Sequence, residues 1–151
     1  MEQDKITASQ EDYLEAIYKL LQESHGVKAI EISKYLGVGR SSVTEALQNL
    51  AGKNLVNYSK YDAISLTNKG EKRAQEVALK HQILYECLTQ ILEIPSEEAH
   101  KNACQIEHVI SDNVFEKLVM FVEFNKLFNQ EYLKKFKEFC SKNTVSCNVE
   151  K

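Results

Sequence analysis

Apolar residues return every three or four positions through most of the chain, and the breaks in that rhythm divide it into segments. Tyr13, Ile17, Leu20 and Leu21 fall at i, i+4, i+7 and i+8, one face of a 3.6-residue period, behind a Ser9 suited to cap the helix. That helix is expected to end near His25-Gly26. A second stretch carries Ile30, Ile32, Tyr35 and Leu36 and stops at Gly37; a third opens around Ser41 and turns Val43, Ala46, Leu47 and Leu50 inward. Two short helices joined through Leu36-Gly37-Val38-Gly39 predict a helix-turn-helix.

After Gly52 the period changes. Leu55-Val56-Asn57-Tyr58 and Ile64-Ser65-Leu66-Thr67 are short β-prone runs joined by Ser59-Lys60-Tyr61-Asp62-Ala63, a hairpin that reads as a wing. No Asn-Gly or Asp-Gly turn sets its register. From Asn68-Lys69-Gly70 a long helix is predicted to about Leu92, with Ala74, Val77, Ala78, His81, Leu84, Tyr85 and Leu88 on one stripe. Pro95 precedes Ser96-Glu97-Glu98, a cap and two acids that favour a helix start. Ser111-Asp112 opens another helix, rich in Val, Leu and Phe through Phe124, and a last one runs to about Lys142.

The predicted fold class is mainly α: an N-terminal winged helix-turn-helix with a β-hairpin wing, followed by an all-helical domain. The expected division is residues 1–70, residues 71–142, and a polar tail, 143–151, that frays.

A chain of 151 residues with 43% hydrophobic composition folds rather than staying disordered. It has no run of about 18 apolar residues and a polar N-terminus, so neither a membrane span nor a secretory signal is expected. A cytoplasmic protein with reduced thiols follows as the expectation for Cys87, Cys104, Cys140 and Cys147. The net charge of -3 speaks against a strongly basic nucleic-acid binder. Its distribution softens that objection: residues 1–80 hold 11 Lys and Arg against 11 Asp and Glu, and the whole deficit lies beyond them.

The chemistry concentrates after Pro95. His100, Cys104, Glu107 and His108 fall at i, i+4, i+7 and i+8, so a helix places all four donors on one face. A solvated polar stripe is the plainer reading. Against it, Ala103, Ile106, Val109 and Ile110 set Cys104 beside a core, and imidazole, thiolate and carboxylate together form a metal-ligand set. Asp12 and Glu15 lie beside the apolar stripe of the first helix, and His81 lies within that of the long helix, where a hydrogen-bonded core histidine is the ordinary alternative. Together these groups can supply ligands from three helices.

The run His100-Lys101-Asn102-Ala103-Cys104-Gln105-Ile106-Glu107-His108-Val109-Ile110-Ser111-Asp112 closely resembles the dimerisation-helix signature of the diphtheria toxin repressor family. Ser9 through Tyr18, Ser41-Ser42-Val43-Thr44 and Leu66-Thr67-Asn68-Lys69-Gly70 also resemble it, covering roughly residues 7–125 in order. The length resembles the form without an SH3-like domain, as in the manganese transport regulator branch. The resemblance implies metal ligation by Asp12, Glu15, His81, Cys104, Glu107 and His108, with His100 available to a second, ancillary site. It implies Fe(II) or Mn(II) as co-repressor ion, a homodimer, and control of metal-uptake genes. Iron-responsive members usually carry Met at the position of Asp12 and manganese-responsive members an acid at that of Cys104, so this chain mixes two patterns. Tyr85 stands where a Glu ligand is common, which implies an altered or absent second site unless Glu86 substitutes.

The third helix presents Arg40, Ser41, Ser42, Thr44 and Gln48 on its polar side, groups suited to base edges and phosphate of double-stranded operator DNA. The alternative is that Ser41 only caps and the rest are solvated. Glu45 on that helix opposes phosphate; on the wing, Lys60 and Tyr61 can reach DNA and Asp62 opposes it. One such module makes few contacts, so a two-fold dimer on a palindrome is expected. Val114, Leu118, Val119, Phe121, Val122 and Phe124 are the candidates for its interface, with intrachain core as the alternative.

Three rival functions remain at this point, one of them a protein-interaction winged helix that touches no DNA, supported only by the acidic balance. An enzyme using Glu107 as base lacks a Gly-rich substrate loop or a nucleophile elbow. A winged-helix regulator that is metal-independent, or senses a small organic ligand, would leave the donor stripe structural.

Overall fold

The computed structural model describes residues 6–24, 26–128 and 130–143. The expected frayed tail lies largely outside these residues, as do His25 and Cys147, and the first helix ends at Glu23, two residues before the expected His25-Gly26. The chain divides into two compact units, Met1–Leu79 and Lys80–Lys151.

In the first unit α1 (Ala8–Glu23) is started by Thr7 rather than Ser9. The Gln10 amide donates to Thr7 Oγ1 and the Thr7 amide to Gln10 Oε1, each at 3.2 Å, a reciprocal cap that Ser9 cannot form because it already lies inside the helix. α2 (Ala29–Leu36) ends on Gly37, whose φ of 67° is the left-handed conformation that a glycine adopts without strain. α3 (Arg40–Gly52) follows after a short turn and buries Val43, Leu47 and Leu50.

β1 (Val56–Asn57) and β2 (Ser65–Leu66) pair antiparallel with Val56 opposite Leu66 and Asn57 opposite Ser65. The strands are shorter than the β-prone runs. What pins their register is partly side-chain chemistry, since Asn57 Nδ2 donates to Ser65 Oγ at 3.0 Å. Ile64 also exchanges backbone hydrogen bonds with Val27 in the turn before α2, tying the wing to the helices. Leu14, Ile17, Val27, Ile32, Val43, Leu47, Leu50 and Ile64 are fully buried in one core. Each such side chain contributes about 1.5–3 kcal/mol by leaving water.

The boundary between units falls within α4 (Asn68–Glu86). At its start Thr67 bonds back to the wing, its amide to Leu55 O at 3.1 Å and its hydroxyl to Asn54 O at 2.8 Å. The predicted single helix to Leu92 changes character instead: Cys87–Ile91 form a π-turn, with the Leu92 amide reaching Cys87 O.

In the second unit α5 (Ser96–Ile106), α6 (Asp112–Leu127) and α7 (Gln130–Lys142) follow. Its core is small: Ile83, Cys87, Ile91 and Val122, with Phe115, Leu118, Val119 and Leu133 packed against them. The candidate interface residues therefore divide. Leu118, Val119 and Val122 belong to the intrachain core, whereas Val114, Phe121 and Phe124 are exposed. Met120, Leu127, Phe128, Tyr132 and Phe139 are exposed as well, and Met120, Phe121, Phe124, Phe128 and Tyr132 line one apolar surface. Among the described residues no helix is long and apolar enough to cross a membrane.

Candidate metal centre and nucleic-acid interface

α5 presents Ala99 and Ala103 to the interior and carries His100 and Cys104 one turn apart. The helix ends at Ile106, so Glu107 and His108 stand in the turn beyond it and not on the helix proper. Glu107 keeps helical dihedrals, φ -56° and ψ -31°, which preserves the phase of the stripe across that end. The apolar companions divide: Ala103 is fully buried and Ile106 and Ile110 partly so, whereas Val109, expected against a core, is 79% exposed.

His81 comes to this cluster from α4 and is buried, as is Glu107. One donor atom each from His81, Cys104 and Glu107 lie within 4.8 Å of one another. Donors around one ion with bonds of about 2.0–2.3 Å are separated by roughly 3–4.5 Å. The imidazole, thiolate and carboxylate therefore fit a divalent first-row ion in both spacing and chemistry.

The cluster is held by hydrogen bonds. His81 Nδ1 lies 2.6 Å from Glu107 Oε2, and since a carboxylate only accepts, the Nδ1–H donates. The Nε2 of His81 lies 3.1 Å from His100 Nδ1, the two rings meeting edge to face. His108 Nε2 is 3.5 Å from the other oxygen of Glu107. Tyr85 lies nearly parallel to the His81 ring, and its hydroxyl shares a 2.7 Å hydrogen bond with Ser96.

Glu86, the one residue that could have substituted for the missing ligand, is engaged by Lys126 and Gln82. Lys126 on α6 lies 2.8 Å from it and, with Gln82, holds its carboxyl below the ordinary value of 4.5 against the opposing effect of burial. Cys87 is a core residue whose thiol is pushed up by burial. Cys140 is exposed.

In the first unit Asp12 and Glu15 follow one another by three residues on α1; Glu15 is buried and pairs with Lys19 at 2.8 Å. A feature missed in the sequence lies beside them: Arg73 of α4 donates to the buried carboxylate of Glu11 and, at 3.0 Å, to Glu76. Burial pulls the Arg73 pKa down, yet the two carboxylates outweigh it and raise it overall. Periodicity carries no signal for such a pair, because its members are 62 residues apart.

Arg40, Ser41, Ser42 and Gln48 are all exposed on α3. Gly39 is the cap, so Ser41 is not occupied with capping. Thr44 is different: its hydroxyl donates to Arg40 O at 3.0 Å, leaving only its acceptor lone pairs available. Glu45 lines a groove with Thr7, Ser9 and Tyr13. At the tip of the wing Lys60 Nζ sits 5.8 Å from the ring centre of Tyr61, which is 90% exposed.

A wing, a short helix exposed behind a glycine turn, and a buried imidazole–thiolate–carboxylate cluster in a separate helical unit together define a winged helix-turn-helix regulator governed by a metal ion. Residues 5–64 match the family described as iron dependent repressor, N-terminal DNA binding domain, and residues 67–127 its metal binding and dimerisation domain. The chain belongs to this iron-dependent repressor family of metal-dependent transcriptional regulators, which bind DNA through the first domain and dimerise through the second.

An uncharacterized HTH-type transcriptional regulator of Methanocaldococcus jannaschii is 35% identical over 119 residues, 78% of this chain and 95% of that protein. The HTH-type transcriptional regulator MntR of Bacillus subtilis is 32% identical over 118 residues, 78% of this chain and 82% of MntR. Among solved structures, that of the manganese regulator SloR superposes with a TM-score of 0.70 at 29% identity, covering 79% of this chain and 55% of SloR. The chain spans about half the length of SloR and of two other solved structures it matches.

Proposed function

We propose that this regulator is a cytoplasmic repressor, without enzymatic activity, that binds palindromic operator DNA as a homodimer when Fe(II) or Mn(II) is bound, and so restrains metal-uptake genes. The observation that carries the reading is the convergence of His81, Cys104 and Glu107 within bonding reach of one ion. Asp12, Glu15 and His108 are proposed as further ligands on their positions in the family pattern. Manganese enters through the relatives, since SloR is described as a manganese regulator and a second similar structure as a manganese-dependent repressor in complex with manganese. Iron enters through Cys104, whose thiolate is softer than a carboxylate.

On the DNA side, Arg40, Ser41, Ser42, Thr44 and Gln48 are proposed to enter the major groove and Lys60 to reach the flanking backbone. We place the division between DNA-binding and metal-binding functions near Gly70. The exposed apolar residues of α6, Val114, Phe121 and Phe124, are proposed as part of the dimer interface.

The test is an anaerobic titration of chelator-treated protein with Mn(II), Fe(II), Co(II) and Zn(II), read as fluorescence anisotropy of its own promoter DNA at fixed salt. Switching by Mn(II) or Fe(II) near micromolar levels is expected, with a coupling of about 1–3 kcal/mol. Equal binding with and without metal would overturn the reading. Cys104→Ala is expected to abolish the metal response while the protein stays folded and dimeric.

A further inference from the structure

We infer that His100 is not a metal ligand in this chain but the group that orients His81, holding its ring from the far nitrogen so that Nδ1 points at Glu107. The inference rests on the reading of His81, Cys104 and Glu107 as ligands, and it departs from the ancillary-site role that the resemblance implies for His100.

Geometry carries it. The two nitrogens of His81 face opposite partners, Nδ1 toward Glu107 Oε2 at 2.6 Å and Nε2 toward His100 Nδ1 at 3.1 Å. An ion shared with Glu107 would take Nδ1, the nitrogen that faces that carboxylate. With an ion in place of the Nδ1 proton, the one proton of the neutral ring would move to Nε2 and be donated to His100 Nδ1, the outer hydrogen bond that metal-bound histidines almost always make. A second ion shared by the two histidines would need His81 Nε2 and His100 Nδ1, the two atoms that this hydrogen bond engages. The neighbouring position is filled by Tyr85, which stacks along His81 and is fixed by Ser96 at 2.7 Å, a phenol in place of a carboxylate. Because His100 is exposed, replacing it does not open the core.

The experiment uses the full chain and Co(II), whose thiolate charge-transfer band reports Cys104 directly. His100→Ala is expected to bind as many ions per chain as the parent and to keep the band, with an affinity about 10- to 100-fold lower in chelator competition. His100→Gln, whose amide oxygen can accept from Nε2–H, is expected to recover most of that loss. Loss of one ion per chain in His100→Ala would make His100 a ligand and overturn the inference, as would unchanged affinity. A parent protein with no thiolate band, or one in which Cys104→Ser leaves the spectrum unchanged, would instead overturn the underlying metal site.

Discussion

The guanidinium of Arg73, one turn into α4, donates to the carboxylate of Glu11, which is 5% exposed on α1. A carboxylate that deep keeps its charge because a cation is brought to it. The pair fastens the first turns of α4 to the helix that carries Asp12 and Glu15.

Removing only the cation should therefore be costly. Arg73→Met is expected to destabilise the protein by about 1–3 kcal/mol, tempered by the partial exposure of Arg73. Adding Glu11→Gln should restore part of that loss, and urea unfolding of the two single variants and the double variant measures the coupling. Additive losses would show that the two side chains act independently.

Gly70 is irreplaceable for a steric reason. A Cβ there would stand 1.8 Å from Leu55 O, the carbonyl that also receives the Thr67 amide. Gly70→Ala should cost about 3 kcal/mol as the start of α4 is driven off the wing. Gly52→Ala, with nothing within 4 Å of the added carbon, is the control and should be neutral or slightly stabilising by thermal melting.

Arg40→Ala should weaken operator binding by about 1–3 kcal/mol while leaving metal affinity unchanged. A loss confined to one operator position identifies a base contact; a uniform loss with a shallower salt slope identifies phosphate. Unchanged DNA affinity would remove α3 from the interface.

The Glu86–Lys126 pair predicts a pH dependence. Glu86 titrates below 4.5 in the folded protein, so its stabilisation is present above that value and is lost as pH falls through the lower, native one. Glu86→Gln should cost about 0.5–1 kcal/mol at neutral pH, and its difference from the parent should shrink progressively under acid, followed by urea unfolding at successive pH values. A difference that persists in acid would show a packing effect instead.

Much of this architecture is legible in the chain because it is repetitive. The 3.6-residue stripes of α1, α3 and α4 place Ile17, Leu47 and Val77 inside, and Gly37 marks the turn of the helix-turn-helix. The donor stripe His100, Cys104, Glu107 and His108 is visible for the same reason, even though the helix stops before its last two members. What periodicity does not carry is choice among equals. Thr7 and Ser9 are both capping residues, and only the reach of Gln10 selects Thr7. Nor does it reveal which apolar residues stay exposed: Leu118 and Phe121 lie three residues apart on α6, one against the core and the other exposed. The commitments of Glu11 to Arg73 and of Glu86 to Lys126 arise only from tertiary placement.

The π-turn at Cys87–Ile91 holds one residue more than an α-helical turn would. Deleting a single residue there converts it to an ordinary turn, a local change that leaves His81 upstream in phase. Homologues that differ from this chain by one residue in the stretch after Glu86 are therefore best aligned with their gap inside the wide turn. A gap placed between His81 and Glu86 would imply a helix rotated there by about 100° and misassign every side chain between it and the wide turn.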